Sequence, residues 1–330
     1  MNHEIRGRIL ALLREQTGTV SGEKMSRALG VSRVSIWKHI ARMREAGYPI
    51  EAGPRGYRLD AGEPGLELDI LSAWEFTPSE FKSLEIPGPG YKVHYFEEID
   101  TTMEEARLLA EKGCPDGTLV IAGRQRRGRG RGQRVWISEE GGLYFTLVLR
   151  PDLPLMQAHR ALFGASVALA ETLRKHYGLE ARIKWPNDVL VGGKKIAGML
   201  ADIQSRSDMI RYLNLGIGIN VNNDPGDLFP ESCSVSGLTG RRVPRKGLLL
   251  SFLRELDDWR RRPEDGSLIR AWKSLSATIG CPVRIVSPGG QVTGTAVDVD
   301  ETGALIVEGP DGGRKRVFYG DCHDRIGPGP

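Results

Sequence analysis

The chain has 330 residues, 40% hydrophobic and 27% charged, with a formal charge of +4; this is the make-up of a globular protein with room for two or three domains. The longest apolar run, near 162–170, is too short to cross a bilayer, and the charged start MNHEIRGRIL, without an apolar run, predicts no secretory leader. Cys114, Cys233, Cys281 and Cys322 lack any paired spacing, which excludes a disulfide framework or zinc ribbon and predicts a reducing, cytoplasmic setting without membrane contact.

The charge is uneven. Residues 1–60 hold eleven Lys/Arg against six Asp/Glu, and the remainder thirty-five against thirty-six. In chain order, Ile5, Ile9, Leu12 and Leu13 have helical spacing. Ser21 can cap a short helix with Met25, Ala28 and Leu29 inward. After Gly30, Ser32 can cap another whose buried side would be Val34, Ile36, Ile40 and Met43. The Gly22–Ala41 region thus reads as a helix-turn-helix, leaving Arg33, Ser35, Lys38, His39 and Arg42 to project. Two short strands around Gly-Pro-Arg-Gly add a wing with Arg55 at its tip. A winged helix-turn-helix with this charge predicts DNA as a partner.

Helical and strand patterns then alternate over residues 65–275. A helix capped near Thr101 or Thr102 precedes strands in TLVIAG and GGLYFTLVLRP; a long helix follows, ended by Gly178. Beyond it come a strand ending at Lys184, a hairpin closed by Gly192-Gly193, and the strand YLNLGIGINVN. In that last strand Gly216 and Gly218 would let a ligand approach the backbone closely. The whole indicates an α+β domain with a mixed sheet. Between the first two strands, residues 123–136 pack six arginines and four glycines into fourteen positions. That stretch suits either a nucleic-acid arm or a mobile loop that closes on a phosphorylated ligand.

Four blocks now stand in order: GRGR (128–131), KWPND (184–188), KIAGML (195–200) and GIGIN (216–220), behind Asp100-Thr101-Thr102. Together they resemble the biotin protein ligases, and with the winged module the chain resembles the bifunctional biotin operon repressors over nearly its whole length. The resemblance implies three units: a winged helix-turn-helix (1–62), a class II synthetase-like biotin/lipoate ligase domain with a mixed sheet (63–277), and an SH3-like β-barrel (278–330). It implies activation of biotin by ATP, with Mg2+, to biotinyl-5′-AMP, then transfer to a lysine of the biotin carrier domain of acetyl-CoA carboxylase or a similar carboxylase. Operator DNA and a ligand-promoted homodimer are the other implied partners. A ligase without repressor function, a biotin-sensing transcription factor without turnover and a lipoate-type ligase are the alternatives.

The chemistry brings a carboxylate onto a polyphosphate, so fixed cations must stand where negative charge builds up. Lys184, Arg129 and Arg131 are the candidate catalytic groups. The acyl-adenylate must be kept from water, and a glycine-hinged flap with Gly130 at its centre would do so. This favours the ligand-loop reading of the arginine stretch. The resemblance assigns the ureido ring of biotin to Thr101, Thr102 and Gln125, while Trp136 and Gly198 join Gly216 and Gly218 as walls. The resemblance gives Asn220 a phosphate- or metal-bridging position, with Mg2+ near it. The family commonly has Asp-Ser-Thr-Asn where this chain has Asp-Thr-Thr-Met, so Met103 removes a side-chain amide. Asp188 reads as a brace of the Pro-Asn turn or a proton acceptor, and Trp185 as structural. From Cys281 onward, short strands separated by Gly/Pro/Asp turns predict the small barrel.

Overall fold

The computed structural model describes residues 2–16, 18–45, 47–60, 91–132, 134–226, 229–262 and 265–323. The expected domain boundary at 62/63 lies outside them.

Helices α1 (Asn2–Arg14), α2 (Gly22–Leu29) and α3 (Arg33–Glu45) and the strand pair β1 (Ile50–Gly53) and β2 (Gly56–Leu59) close on a core that includes Ile9, Leu13, Met25, Ile36, Ile40 and Met43. Ser21 Oγ accepts from Lys24 N at 3.1 Å and Ser32 Oγ from Ser35 N at 3.1 Å, so both caps form. Ile50 pairs with Leu59 and Gly53 with Gly56, leaving Pro54 and Arg55 at the wing tip. Val20 and Tyr57 exchange backbone hydrogen bonds of 2.7 and 2.9 Å that tie the wing to the helices.

Two expectations for α3 are corrected. Val34 is 63% exposed, not buried, and His39 is 8% exposed, not projecting. Ile36, Ile40 and Met43 set the buried stripe, and at 100° per residue His39 falls beside them while Val34 lies opposite. The Arg6 Nε donates to His39 Nδ1 at 3.4 Å, and burial, then the charges of Arg6 and Arg42, push the imidazole pKa down. His39 is therefore a neutral core group and leaves the DNA-contacting set. Arg33, Lys38, Arg42 and Arg55 are exposed, Ser35 is half-buried, and the hydroxyl of Ser32 serves as the cap.

The central unit is a seven-stranded sheet of β3 (Lys92–Ile99), β4 (Thr118–Gln125), β5 (Leu143–Leu149), β6 (Ala181–Lys184), β7 (Asp188–Val191), β8 (Lys194–Arg206) and β9 (Met209–Ile219), ordered β3-β4-β5-β9-β8-β7-β6. The β3–β4 pair is parallel and the others antiparallel. Period-2 alternation serves both faces. On one face Val120, Val148 and Tyr212 meet Ala106 and Ala110 of α4 (Thr102–Glu111). On the other, Leu119, Ile121, Phe145 and Leu213 join the main core, which is covered by α5 (His159–Tyr177), α7 (Arg245–Arg261) and α8 (Ser267–Leu275); the short α6 (Val235–Thr239) precedes α7. The Phe163 and Trp272 rings stack at 4.8 Å between α5 and α8.

The last unit is an antiparallel sheet of β10 (Pro282–Ser287), β11 (Gly290–Val299), β12 (Leu305–Glu308), β13 (Arg314–Val317) and β14 (Asp321–His323). Its order, β13-β12-β11-β10-β14, is a meander whose final strand returns beside the first, as in an SH3-like fold. Val283, Ile285, Ala296 and Leu305 are continuous with the main core, so this unit packs directly on the central domain.

A buried polar knot joins β3's approach to α7. Tyr91 donates to Asp257 Oδ2 at 2.7 Å, and Arg260 reaches Asp257 at 3.4 Å and Asp116 at 2.8 Å. Burial pushes the Asp257 carboxyl up to about 6. The folded state then holds a proton that the unfolded chain releases at the ordinary carboxylate pKa, so this group's contribution to stability is lost as pH rises from 4 through 6. In urea unfolding, the stability difference should shift by about 2–3 kcal/mol in favour of Asp257→Asn over wild type between pH 4 and pH 7. A difference independent of pH would refute the raised pKa.

Candidate active site

The site begins with glycines on neighbouring strands. Gly198 of β8 pairs with Gly218 of β9, and Leu200 with Gly216. Without side chains there, the sheet leaves a shallow floor. A Cβ on Gly218 would stand 2.5 Å from Trp136 Nε1, and one on Gly216 2.5 Å from Met103 Sδ. Trp136 and Met103, rather than open space, thus lie over these glycines. The Trp136 Nε1 is buried without a hydrogen-bond partner, a donor that a ligand acceptor would satisfy.

These groups line one cavity of about 250 Å3, together with Thr101, Thr102, Gln125, Arg129, Gly130, Arg131 and Lys184. Part of the lining is polar and neutral. Gln125 Oε1 accepts from Thr102 N at 2.8 Å and Thr102 Oγ1 at 3.1 Å, and its Nε2 donates to Ser138 Oγ at 2.8 Å. Thr146 Oγ1 in turn donates to Thr102 Oγ1 at 2.8 Å. Thr101 caps α4, its hydroxyl accepting from Met103 N at 3.3 Å. Met103, 7% exposed, gives apolar packing where the resembled family has an amide.

Cationic groups line the same cavity. Lys184 closes β6 beside the Trp185-Pro186-Asn187 turn, and Arg129, Arg131 and Arg134 come from the loop. Lys195 Nζ pairs with Asp188 at 2.7 Å and sits 5.3 Å from the centre of the Trp136 ring. The turn itself is braced by Asn187, whose Nδ2 donates to Met199 O and whose carbonyl accepts from Met199 N at 2.9 Å. Asp188 therefore engages Lys195 and is not the brace. Trp185 is 1% exposed, with Nε1 donating to Gly303 O at 3.2 Å and its backbone N to Thr278 Oγ1 at 3.0 Å. The turn carrying Lys184 is thereby fastened to the C-terminal unit.

Residues outside the sequence-derived set also enter. Arg131 pairs with Asp321 of β14, Arg134 reaches the other Asp321 oxygen at 2.7 Å, and Cys322 and His323 line the cavity. The signal for Lys195 lay in the KIAGML block; nothing local in β14 points to the site, because folding alone brings it there. Arg126 pairs with Asp100 at 2.7 Å and Glu98 at 2.9 Å, Arg127 with Asp100 at 3.0 Å, and Arg124 with Glu139 at 3.1 Å. These cations pin the stem of the loop on exposed surface and stay off the cavity wall. Asn220 stands apart as well: it is 4% exposed, its Oδ1 accepts from Asn223 Nδ2 at 3.0 Å, and it does not line the cavity. Among the described residues no group of three or more His, Cys, Asp or Glu could hold a metal ion, and no helix is long and apolar enough to cross a membrane.

Fold and site define a three-unit protein: a winged helix-turn-helix, a central mixed-sheet α+β domain whose cavity is lined by neutral polar and cationic groups, and a C-terminal antiparallel sheet. Residues 95–222 match the biotin/lipoate A/B protein ligase family, residues 6–58 an HTH domain, and residues 278–323 the biotin protein ligase C terminal domain. The chain is 36% identical over 314 residues to the bifunctional ligase/repressor BirA of Bacillus subtilis, covering 92% of this chain and 93% of that protein. It is 29% identical over 300 residues to the Escherichia coli bifunctional ligase/repressor BirA, covering 87% and 88%. In structure it resembles the biotin protein ligase from Aquifex aeolicus in complex with biotin and ATP, with TM-score 0.61 and 28% identity over 70% of this chain and 97% of that one. The chain belongs to the biotin protein ligase family, with the domain composition of its bifunctional ligase/repressor members.

Proposed function

We propose that the chain is an ATP-dependent biotin protein ligase that also acts as a biotin-responsive repressor, and that both ligation half-reactions occur in the cavity under the arginine loop. The observation that carries this reading is the polarity of the cavity. Gln125 and Thr102, tied to Ser138 and Thr146 behind them, share one cavity with Lys184, Arg129 and Arg131. A neutral ureido ring suits the amide and hydroxyl groups, and a carboxylate meeting a polyphosphate suits the cations.

In the first step a carboxylate oxygen of biotin forms a bond to the α-phosphorus of ATP while the bond to pyrophosphate breaks. Lys184 offsets charge on the carboxylate and α-phosphate as they approach, and Arg129 and Arg131 bind the phosphoryl oxygens. Mg2+ bound to the nucleotide would supply neutralisation of phosphate charge, since among the described residues no cluster of three or more His, Cys, Asp or Glu could hold it. In the second step the uncharged amine of a carrier lysine attacks the acyl carbon, and AMP leaves. Trp136 and the loop keep water from the anhydride between the steps. Asp188, paired with Lys195 at 2.7 Å, takes the proton from the incoming amine.

The carrier domain of a biotin-dependent carboxylase, operator DNA and a second copy of the chain are the proposed partners, with units at 1–62, 63–277 and 278–330. Four free cysteines support a cytoplasmic setting. The test is ATP–pyrophosphate exchange with biotin, with lipoate and with no acid. Exchange with biotin alone is the expected result. Equal exchange with lipoate would reassign the substrate, and biotin binding without exchange would make the chain a sensor.

A further inference from the structure

The face of α3 turned away from its core is not uniformly cationic. Val34 and Trp37 are 63% and 60% exposed and lie one helical turn apart. Arg33, Lys38 and Arg42 on the same helix, and Arg55 on the wing, are all exposed around them. Between α3 and the wing runs a groove whose wall includes Arg33, Val34, Trp37, Pro54, Arg55 and Tyr57. An isolated exposed apolar residue needs no explanation, but an apolar pair at the centre of a cationic recognition face does.

Phosphates account for the rim and not for the centre. Arginine and lysine around the patch can grip the DNA backbone, which sets position and carries no sequence information. Valine has no polar atom and the indole ring only a single N–H donor, so the pair cannot make the bidentate hydrogen bonds that distinguish guanine or adenine edges. The apolar group that a base displays in the major groove is the C5 methyl of thymine. We infer that Val34 and Trp37 form a thymine-methyl reading platform, so that this protein's operator half-sites carry thymines where the first two turns of α3 enter the major groove. The inference rests on the repressor reading above and adds the base class that the helix selects.

Removing one buried methyl contact weakens binding about fourfold. The full chain, supplied with biotin, ATP and Mg2+, is used to enrich duplexes from a library with a randomised centre. The best duplex is then remade with deoxyuridine in place of each thymine, which deletes only the methyl. Wild-type protein should lose about fourfold in affinity at one or more thymines per half-site. Val34→Ala should bind the thymine and deoxyuridine duplexes within twofold of each other, and Trp37→Ala should reduce the discrimination at a neighbouring base. Arg55→Ala should weaken both duplexes equally and leave their ratio intact. Unchanged biotin-dependent exchange shows that the variants remain folded in the ligase domain, and helical circular dichroism and thermal unfolding report on the winged module.

Enrichment of a sequence that tolerates deoxyuridine throughout would overturn this inference while leaving the repressor reading in place. Failure to enrich any sequence would overturn both. If Trp37→Ala changed self-association while leaving the thymine preference intact, the patch would be a protein-docking surface and the inference would be wrong.

Discussion

Lys184→Ala should lower biotin-dependent ATP–pyrophosphate exchange by at least about 100- to 1,000-fold, the usual cost of removing one preorganised group from developing charge. The reason is positional. Lys184 ends β6, and the turn that follows is fixed by Trp185 hydrogen bonds to Thr278 and Gly303 and by Asn187 bonds to Met199. An ammonium on such a mount is poised before substrate arrives. A water-filled gap in its place must reorganise during the step. Since Lys184 is half-buried at a strand end, the variant should keep the wild-type unfolding midpoint within a few degrees. Exchange at the wild-type rate from a folded variant would remove Lys184 from the chemistry.

The second large effect belongs to a residue without a side chain. In Gly128→Ala the new methyl would fall against the Trp136 carbonyl oxygen and within 2.5 Å of Ser138 Oγ. The backbone is already committed there, because Trp136 N donates to Gly128 O at 2.9 Å and Gln125 N to Ser138 O at 3.2 Å. The loop must therefore shift, at about 1–3 kcal/mol of strain. The shift moves Trp136 off the Gly198–Gly218 floor and Ser138 away from Gln125. The KM for biotin should rise at least about tenfold. Biotin-dependent AMP release without carrier should rise too, because an open loop admits water to the adenylate. An unchanged KM with no rise in AMP release would show that loop closure does not depend on this close approach.

Much of this arrangement was readable from local pattern. The two serine caps, the long helix ended by Gly178 and the Gly192-Gly193 hairpin depend on neighbours within a few positions, and all are present. The strand glycines at 216 and 218 pointed to the cavity floor because a missing side chain leaves a gap whatever the tertiary context. The face of α3 was misjudged because Val34 and His39 each extend a plausible apolar or polar stripe. The Ile36, Ile40 and Met43 stripe decides between them, and the Arg6–His39 contact with α1 agrees. The role of Asn220 rests on its block alone: its Oδ1 accepts from Asn223 and it does not line the cavity. Asp321 lies 190 positions from Arg131 in the chain and has no local signature, so its place at the loop comes from the packing of β14 on the central domain.

At the centre of the account is the claim that strand-end and loop cations surround the site of adenylation. A crystal structure of the chain with biotinyl-5′-AMP tests it most directly. Lys184 Nζ and the Arg129 guanidinium should stand within hydrogen-bond distance of the acyl-phosphate oxygens, with the ureido ring against Gln125 and Thr102. An adenylate bound in this cavity with those cations turned to bulk water, or bound elsewhere, would contradict it.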